Sequence, residues 1–182
     1  LGNNAFDLGD YKKAEENHLQ ALRLTREIGN RYSESLSLDT LSEVYTFRGD
    51  GEKAQSCSRQ ALEIQQALGH RRGQGYTLNH LGLALALSGH RIAAREAFEA
   101  ALQIRLDLGQ NALALDDLAG LARLALEDGD VSGAVQHVDK IFASIAEHGI
   151  EGCEFPVWVY LTCFRVLQAA GDPVRASSAL RS

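Results

Sequence analysis

The stretch LGLALALSGHRIAAREAFEAAL, residues 81–102, decides how the rest of the chain is read. It holds alanine, leucine and a few charges around one interruption, Ser88-Gly89-His90, and no recognisable catalytic group. Its second half places Ile92, Ala93, Ala97, Ala101, Leu102, Ile104 and Leu108 close to a 3.6-residue period, the signature of a helix with one buried face. The glycine after each apolar run suits a left-handed C-terminal cap, a conformation that any residue with a Cβ adopts at a cost. The stretch therefore reads as helix, turn, helix.

The pattern recurs every 40 residues. Leu1, Leu41, Leu81 and Leu121 keep that interval, as do Gly9, Gly49, Gly89 and Gly129, Ala14, Ala54, Ala94 and Ala134, and Gly29, Gly69, Gly109 and Gly149. Four columns in register mark an internal repeat. A further unit, CFRVLQAAGDPVRASSAL, puts Gly171 and Ala176 in their columns but 42 residues after Gly129 and Ala134. The drift falls in HGIEGCEFPVW, where Gly149, Gly152 and Pro156 mark a longer turn. Pro173 suits the first position of the last helix, where a missing N–H does no harm. No strand candidate survives, so the expected class is all-α. The repeated alanines sit where a small side chain lets paired helices approach to roughly 8–10 Å.

These columns resemble the tetratricopeptide repeat. The resemblance is carried by LGNNAFDLGDYKKAEENHLQAL (1–22), LSEVYTFRGDGEKAQSCSRQAL (41–62), LGLALALSGHRIAAREAFEAAL (81–102) and LARLALEDGDVSGAVQHVDKIF (121–142). The 40-residue period is similar to that of kinesin light chains and of bacterial signal-transduction ATPases and transcriptional activators. The resemblance implies a right-handed superhelical solenoid of antiparallel helix hairpins, with four clear repeats and a partial fifth. Their approximate bounds are 1–29, 30–69, 70–109, 110–149 and 153–182, in a single domain expected to be a fragment of a longer protein.

Composition removes several function classes. The net charge of −6 is spread along the chain, at −2, +1, −2 and −3 over residues 1–40, 41–80, 81–120 and 121–182. No basic stripe for phosphates results, so direct nucleic-acid binding is not expected. No run reaches the roughly 18 apolar residues of a membrane span. Cys57, Cys153 and Cys163 are dispersed, neither a disulfide framework nor a zinc spacing, and read as reduced core-filling thiols of a cytoplasmic protein. No nucleophile elbow and no phosphate-binding glycine loop occurs, so no enzymatic activity and no cofactor is expected. Asp128, Asp130 and Asp139 imitate the spacing of a calcium loop, with glycine at its sixth position. The repeat register instead makes Gly129-Asp130 a turn and Asp139 a solvated helix residue. Glu15 and His18 have metal-ligand spacing without a second pair, and His18, in the column of Phe98, reads as a satisfied core histidine.

With no chemistry visible, function falls to the surface. Stacked hairpins build a curved face, and the resemblance implies that the first helix of each unit lines its concave side. That face would receive Asn3 and Asp7; Asp39, Thr40, Glu43 and Phe47; Tyr76, Asn79, His80 and Leu83; Asp116, Arg123 and Glu127; and Trp158, Thr162 and Arg165. The two-lysine clamp that the family uses for chaperone C-termini is replaced by Asp39, Glu43 and Phe47. Arg123 and Arg165 could hold a carboxylate, which arginine binds bidentately. The expected function is a scaffold that binds a protein or peptide, the interaction or sensor arm of a larger bacterial regulator. The alternative is self-association through exposed end helices.

Overall fold

The structure, a computed structural model, describes residues 11–180. Asn3 and Asp7 lie outside the described residues. Within them the chain forms α1 (Tyr11–Glu27), α2 (Arg31–Phe47), α3 (Gly51–Ala67), α4 (Arg71–Leu87), α5 (Arg91–Asp107), α6 (Asn111–Glu127), α7 (Val131–His148), α8 (Pro156–Ala169) and α9 (Pro173–Ala179). No residue described is in a strand.

The 40-residue period is set by turns that end one helix and start the next in three residues. After α2, the Gly49 N–H donates to Thr46 O at 3.0 Å and the Asp50 N–H to Tyr45 O at 2.9 Å. This is the paired closure of a left-handed cap, with Gly49 at φ 79°. Asp50 then caps α3, its carboxylate accepting from the Lys53 N–H at 3.2 Å. Asn30, Asp130 and Asp172 do the same for α2, α7 and α9. Gly29, Gly69, Gly89, Gly109, Gly129 and Gly171 repeat the positive φ. The connection after α7 breaks the rhythm. The Gly149 N–H donates only to Ile145 O, and residues 149–155 run on before Pro156 opens α8. This loop carries the two-residue drift.

The helices divide into two compact units, Leu1–Ala97 and Phe98–Ser182, with the division inside α5. In the first, α1 packs on α2, α2 on α3, α3 on α4, and α2 on α4. Its core gathers Leu22, Leu38, Leu41, Tyr45, Ala54, Ala61, Ile64 and Ala84. In the second, α6 packs on α7 and α8, α7 on α8, and α8 on α9. Leu115, Leu118, Ala122, Val138, Ile141, Cys163 and Val166 form its core. In both units, first helices of successive hairpins touch directly, α2 with α4 and α6 with α8.

The repeated alanines Ala14, Ala54, Ala94 and Ala134 are all fully buried. Phe98 fills the column held by Ser58 and Val138 elsewhere, and Gly120 makes room for it. A Cβ on Gly120 would lie 2.7 Å from the Phe98 ring. Two sequence expectations need correction. The buried stripe of α5 is Ala94, Ala97, Phe98, Ala101, Ile104 and Arg105, whereas Ile92 is 80% exposed and Leu108 44%. At about 100° per residue, Ile92 lies about 200° round the helix from Ala94, and Leu108 is already past the last turn. His18 is only half-buried, and its buried Nε2 has no hydrogen-bond partner among the described residues. Burial lowers its pKa.

Candidate functional site

Residues three and four apart share a helix face, and on first helices that spacing selects the sites expected from sequence. In the first unit, α2 contributes Asp39, Thr40, Glu43 and Phe47, and α4 contributes Tyr76, Asn79, His80 and Leu83. Only part of this set reaches solvent. Asp39 is spent within the fold: its Oδ1 accepts from the Thr77 hydroxyl at 2.8 Å and meets His80 Nδ1 at 3.1 Å. His80 is 4% exposed and Asn79 fully buried, so neither offers the side chain to a partner that the sequence suggested. The Thr40 hydroxyl donates to Leu36 O in its own helix. Glu43, Tyr76 and Leu83 are half-buried. Phe47 is exposed and stacks on Tyr11 with ring centroids 6.0 Å apart.

The structure adds residues that the sequence reading missed. Tyr32, Leu36 and Leu87 are exposed first-helix residues in register with Thr40, Phe47 and Leu83. Tyr32 sits edge-on to His70 at 5.1 Å. Their signal was available as apolar residues at four-residue spacing on α2, outside the part of the helix that the reading used. The most exposed of the residues just named are apolar, while Glu43 is half-buried.

In the second unit, the expected residues are Asp116, Arg123 and Glu127 of α6 and Trp158, Thr162 and Arg165 of α8. Asp116 is fully buried and Thr162 5% exposed, again a correction to the sequence picture. The Asp116 carboxylate accepts from the Glu154 N–H at 3.0 Å, the Phe155 N–H at 3.1 Å and the Cys153 thiol at 3.3 Å. It thereby ties down the backbone leading into α8, whose N-cap residue Phe155 offers no side-chain cap. Burial pushes its pKa up, against the pull of these donors and of Arg105. Burial likewise raises the Cys153 and Cys163 thiols to about 12 and Cys57 to about 11. All three are poor nucleophiles at neutral pH.

Arg123 remains partly exposed, its guanidinium 5.7 Å from the Trp158 ring centroid and its Nε 3.6 Å from Glu127. A cation over an aromatic face gains about 0.5–1 kcal/mol when solvated. Arg165 is exposed on the next turns of α8. This face is cationic and aromatic. Beneath it the fully buried Arg105 donates to Leu113 O and to Asp117 at 3.0 Å, with Glu154 at 3.8 Å. Nothing in the sequence distinguished Arg105, which stands where Thr25, Gln65 and Ile145 stand in other units.

The calcium-like spacing is used for structure. Asp130 accepts from the Gly133 N–H at 2.8 Å as the cap of α7, and Asp139 pairs with Arg175. An open groove of about 690 Å³ in the first unit is lined by Gln55, Arg59, His90, Arg91, Ile92 and Glu96, away from the first-helix face. No described helix is long and apolar enough to cross a membrane.

A family model described as tetratricopeptide repeat matches residues 1–67 and 35–107. No curated protein matches the chain. Among solved structures, the chain is similar to BtubC (BKLC) from P. vanneervenii, at 20% identity and a TM-score of 0.79, covering 100% of this chain and 74% of that one. It is also similar to a Podosopora anserina structure described as "putative kinesin light chain nearly identical TPR-like repeats". There the identity is 19% and the TM-score 0.74, with 99% and 88% covered. A third similar structure is MamA, at 15% identity and a TM-score of 0.63, with 100% and 91% covered. These likenesses establish the fold.

Proposed function

The chain belongs to the tetratricopeptide repeat family, and from that premise we propose that it is a protein- or peptide-binding scaffold that engages its partner through first-helix faces. We further propose that it serves as the interaction or sensor arm of a larger bacterial, cytoplasmic regulator, with no catalysis and no cofactor of its own. The observation that carries the reading is the chemistry left at the surface of the first helices. Tyr32, Leu36, Phe47 and Leu87 remain 40–49% exposed on α2 and α4. In the second unit Arg123 is held over Trp158, and Arg165 is exposed on the same helix as that ring. Contiguous apolar patches left in water mark interaction surfaces, and tryptophan, tyrosine and arginine are the residue types most enriched at binding hot spots.

Of the residues expected on this face, the reading retains Thr40, Glu43, Phe47, Tyr76, Leu83, Arg123, Trp158 and Arg165 as contact residues. Asp39, Asn79, His80 and Asp116 support that face from beneath. The test is selection from a random peptide display library on the wild-type chain, followed by affinity measurement on Leu36→Glu and Arg123→Glu. Selected peptides should lose about tenfold or more on at least one variant, equivalent to about 1.4 kcal/mol. Peptides that bind both variants as well as wild type would place the site elsewhere.

Self-association is the second reading, favoured by Val157 and Val174, which are 80% and 75% exposed on α8 and α9. Light scattering over a concentration series separates the two. A dimer abolished by Val157→Asp would support it, and a monomer at all concentrations would remove it.

A further inference from the structure

Asp116 was expected to meet a partner directly, but its geometry gives it another task. It is fully buried on α6 and spends its carboxylate on residues 153–155, the end of the one long connection among the described helices. Phe155 is the N-cap residue of α8, and its carbonyl accepts from the Val159 N–H at 3.0 Å. Trp158 stands between those two residues, in the first turn of the helix. The other end of the same contact is Arg123, on the helix that carries Asp116, with its guanidinium 5.7 Å from the Trp158 ring. Two contacts from α6, seven residues apart, therefore reach the start of α8, one buried and made to backbone, one partly exposed and made to the ring; Arg105 adds a third at Glu154, 3.8 Å away.

We propose that Asp116 is a positioning residue: by fixing the backbone at 153–155 it sets Trp158 against Arg123, so that the cationic and aromatic face of the second unit is formed before any partner arrives. The proposal rests on the binding reading given above for its meaning, although the geometry it asserts does not depend on any ligand. Three considerations support it. The connection lacks the paired glycine closure of the three-residue turns; it has the Gly149 N–H on Ile145 O and the Cys153 N–H on Ile150 O, while the Glu154 and Phe155 amides turn to Asp116. The first turn of α8 has no side-chain cap of its own. The backbone amides just before it, of Glu154 and Phe155, donate instead to a fully buried carboxyl group, and a buried hydrogen bond left unmade is costly. A binding residue locked by neighbouring hydrogen bonds loses less freedom on association, which is how pre-organisation raises affinity.

Trp158 is the only tryptophan of the chain, so its fluorescence reports this site alone. The experiment compares wild type, Asp116→Ala, the conservative Asp116→Asn and the control Asp139→Ala, whose partner Arg175 lies elsewhere. It reads the emission maximum, acrylamide quenching and amide hydrogen exchange at a temperature where circular dichroism shows the helices intact. Asp116→Ala should red-shift the emission and raise the quenching constant. Protection of the Glu154 and Phe155 amides should fall by about tenfold to a hundredfold, the range expected when buried donors lose their acceptor. Asp116→Asn, which keeps one acceptor oxygen, should lie between, and Asp139→Ala should match wild type. Two results overturn the proposal. One is unchanged Trp158 emission and quenching in Asp116→Asn and Asp116→Ala. The other is a loss of protection spread evenly over α6, α7 and α8, which would make Asp116 a general stability residue. Loss of the peptide-binding reading would leave these spectra as predicted. Failure of the spectra, with Arg123→Glu still abolishing peptide capture, would remove only the positioning role.

Discussion

At the scale of single residues, size and burial decide more than chemical type. Phe98 occupies a column that Ser58 and Val138 fill elsewhere, and the space comes from Gly120, whose missing Cβ would otherwise lie 2.7 Å from the ring. Gly120→Ala should therefore destabilise the chain by about 1–3 kcal/mol through overpacking, although alanine is the better helix former. A melting temperature equal to or above wild type would show that the ring can move aside. Charge at this scale is clearest in Glu34, 7% exposed and held by Arg26 at 2.9 Å and Arg31 at 2.6 Å. Burial alone would raise its pKa, but the two arginines outweigh it and leave the pKa below the ordinary value. Its contribution to stability is then complete above the unfolded-state pKa and is lost as the pH falls through the lower folded-state value. Titrating wild type and Glu34→Gln from neutrality to about pH 3, below the ordinary glutamate pKa of about 4.3, should show a steeper loss of stability in wild type. Parallel curves would mean that the pair is fully screened.

At the scale of elements, a turn of three residues does the work of two caps. Gly49 closes α2 in a left-handed conformation, and Asp50 opens α3 one residue later. Asp50→Ala should cost about 1 kcal/mol, the worth of an N-cap side chain, seen as a lower denaturation midpoint with an unchanged slope. A change in slope would instead report a rearranged folded or unfolded state. Hairpin length, turn position and the glycine columns were all legible in the sequence because they follow from local backbone chemistry that repeats. The loop at residues 149–155 was legible as a place, from its two-residue drift, but not as a structure. Its register is held by Asp116, more than 30 residues earlier, and no local pattern records that contact.

At the scale of the whole molecule, the sequence carries one 40-residue period, while the contacts form two compact units divided inside α5. The two present different first-helix surfaces. One is aromatic and aliphatic, from Tyr32, Leu36, Phe47 and Leu87; the other is cationic and aromatic, from Arg123, Trp158 and Arg165. The peptide selection on Leu36→Glu and Arg123→Glu belongs at this scale, since it asks which unit supplies the affinity.

The sequence by itself determined the all-helical hairpins, their length, their caps and the family, because these depend on residues within one or two turns of each other and are repeated in register. Only the tertiary structure decided which first-helix residues meet water. Asn79, His80 and Asp116 share the spacing of Phe47 and Arg123, yet lie buried. A helix face is exposed or covered by what packs on it, and the residues that meet His80 and Asp116 stand some 40 positions away in the chain, beyond the reach of the 3.6-residue helical period.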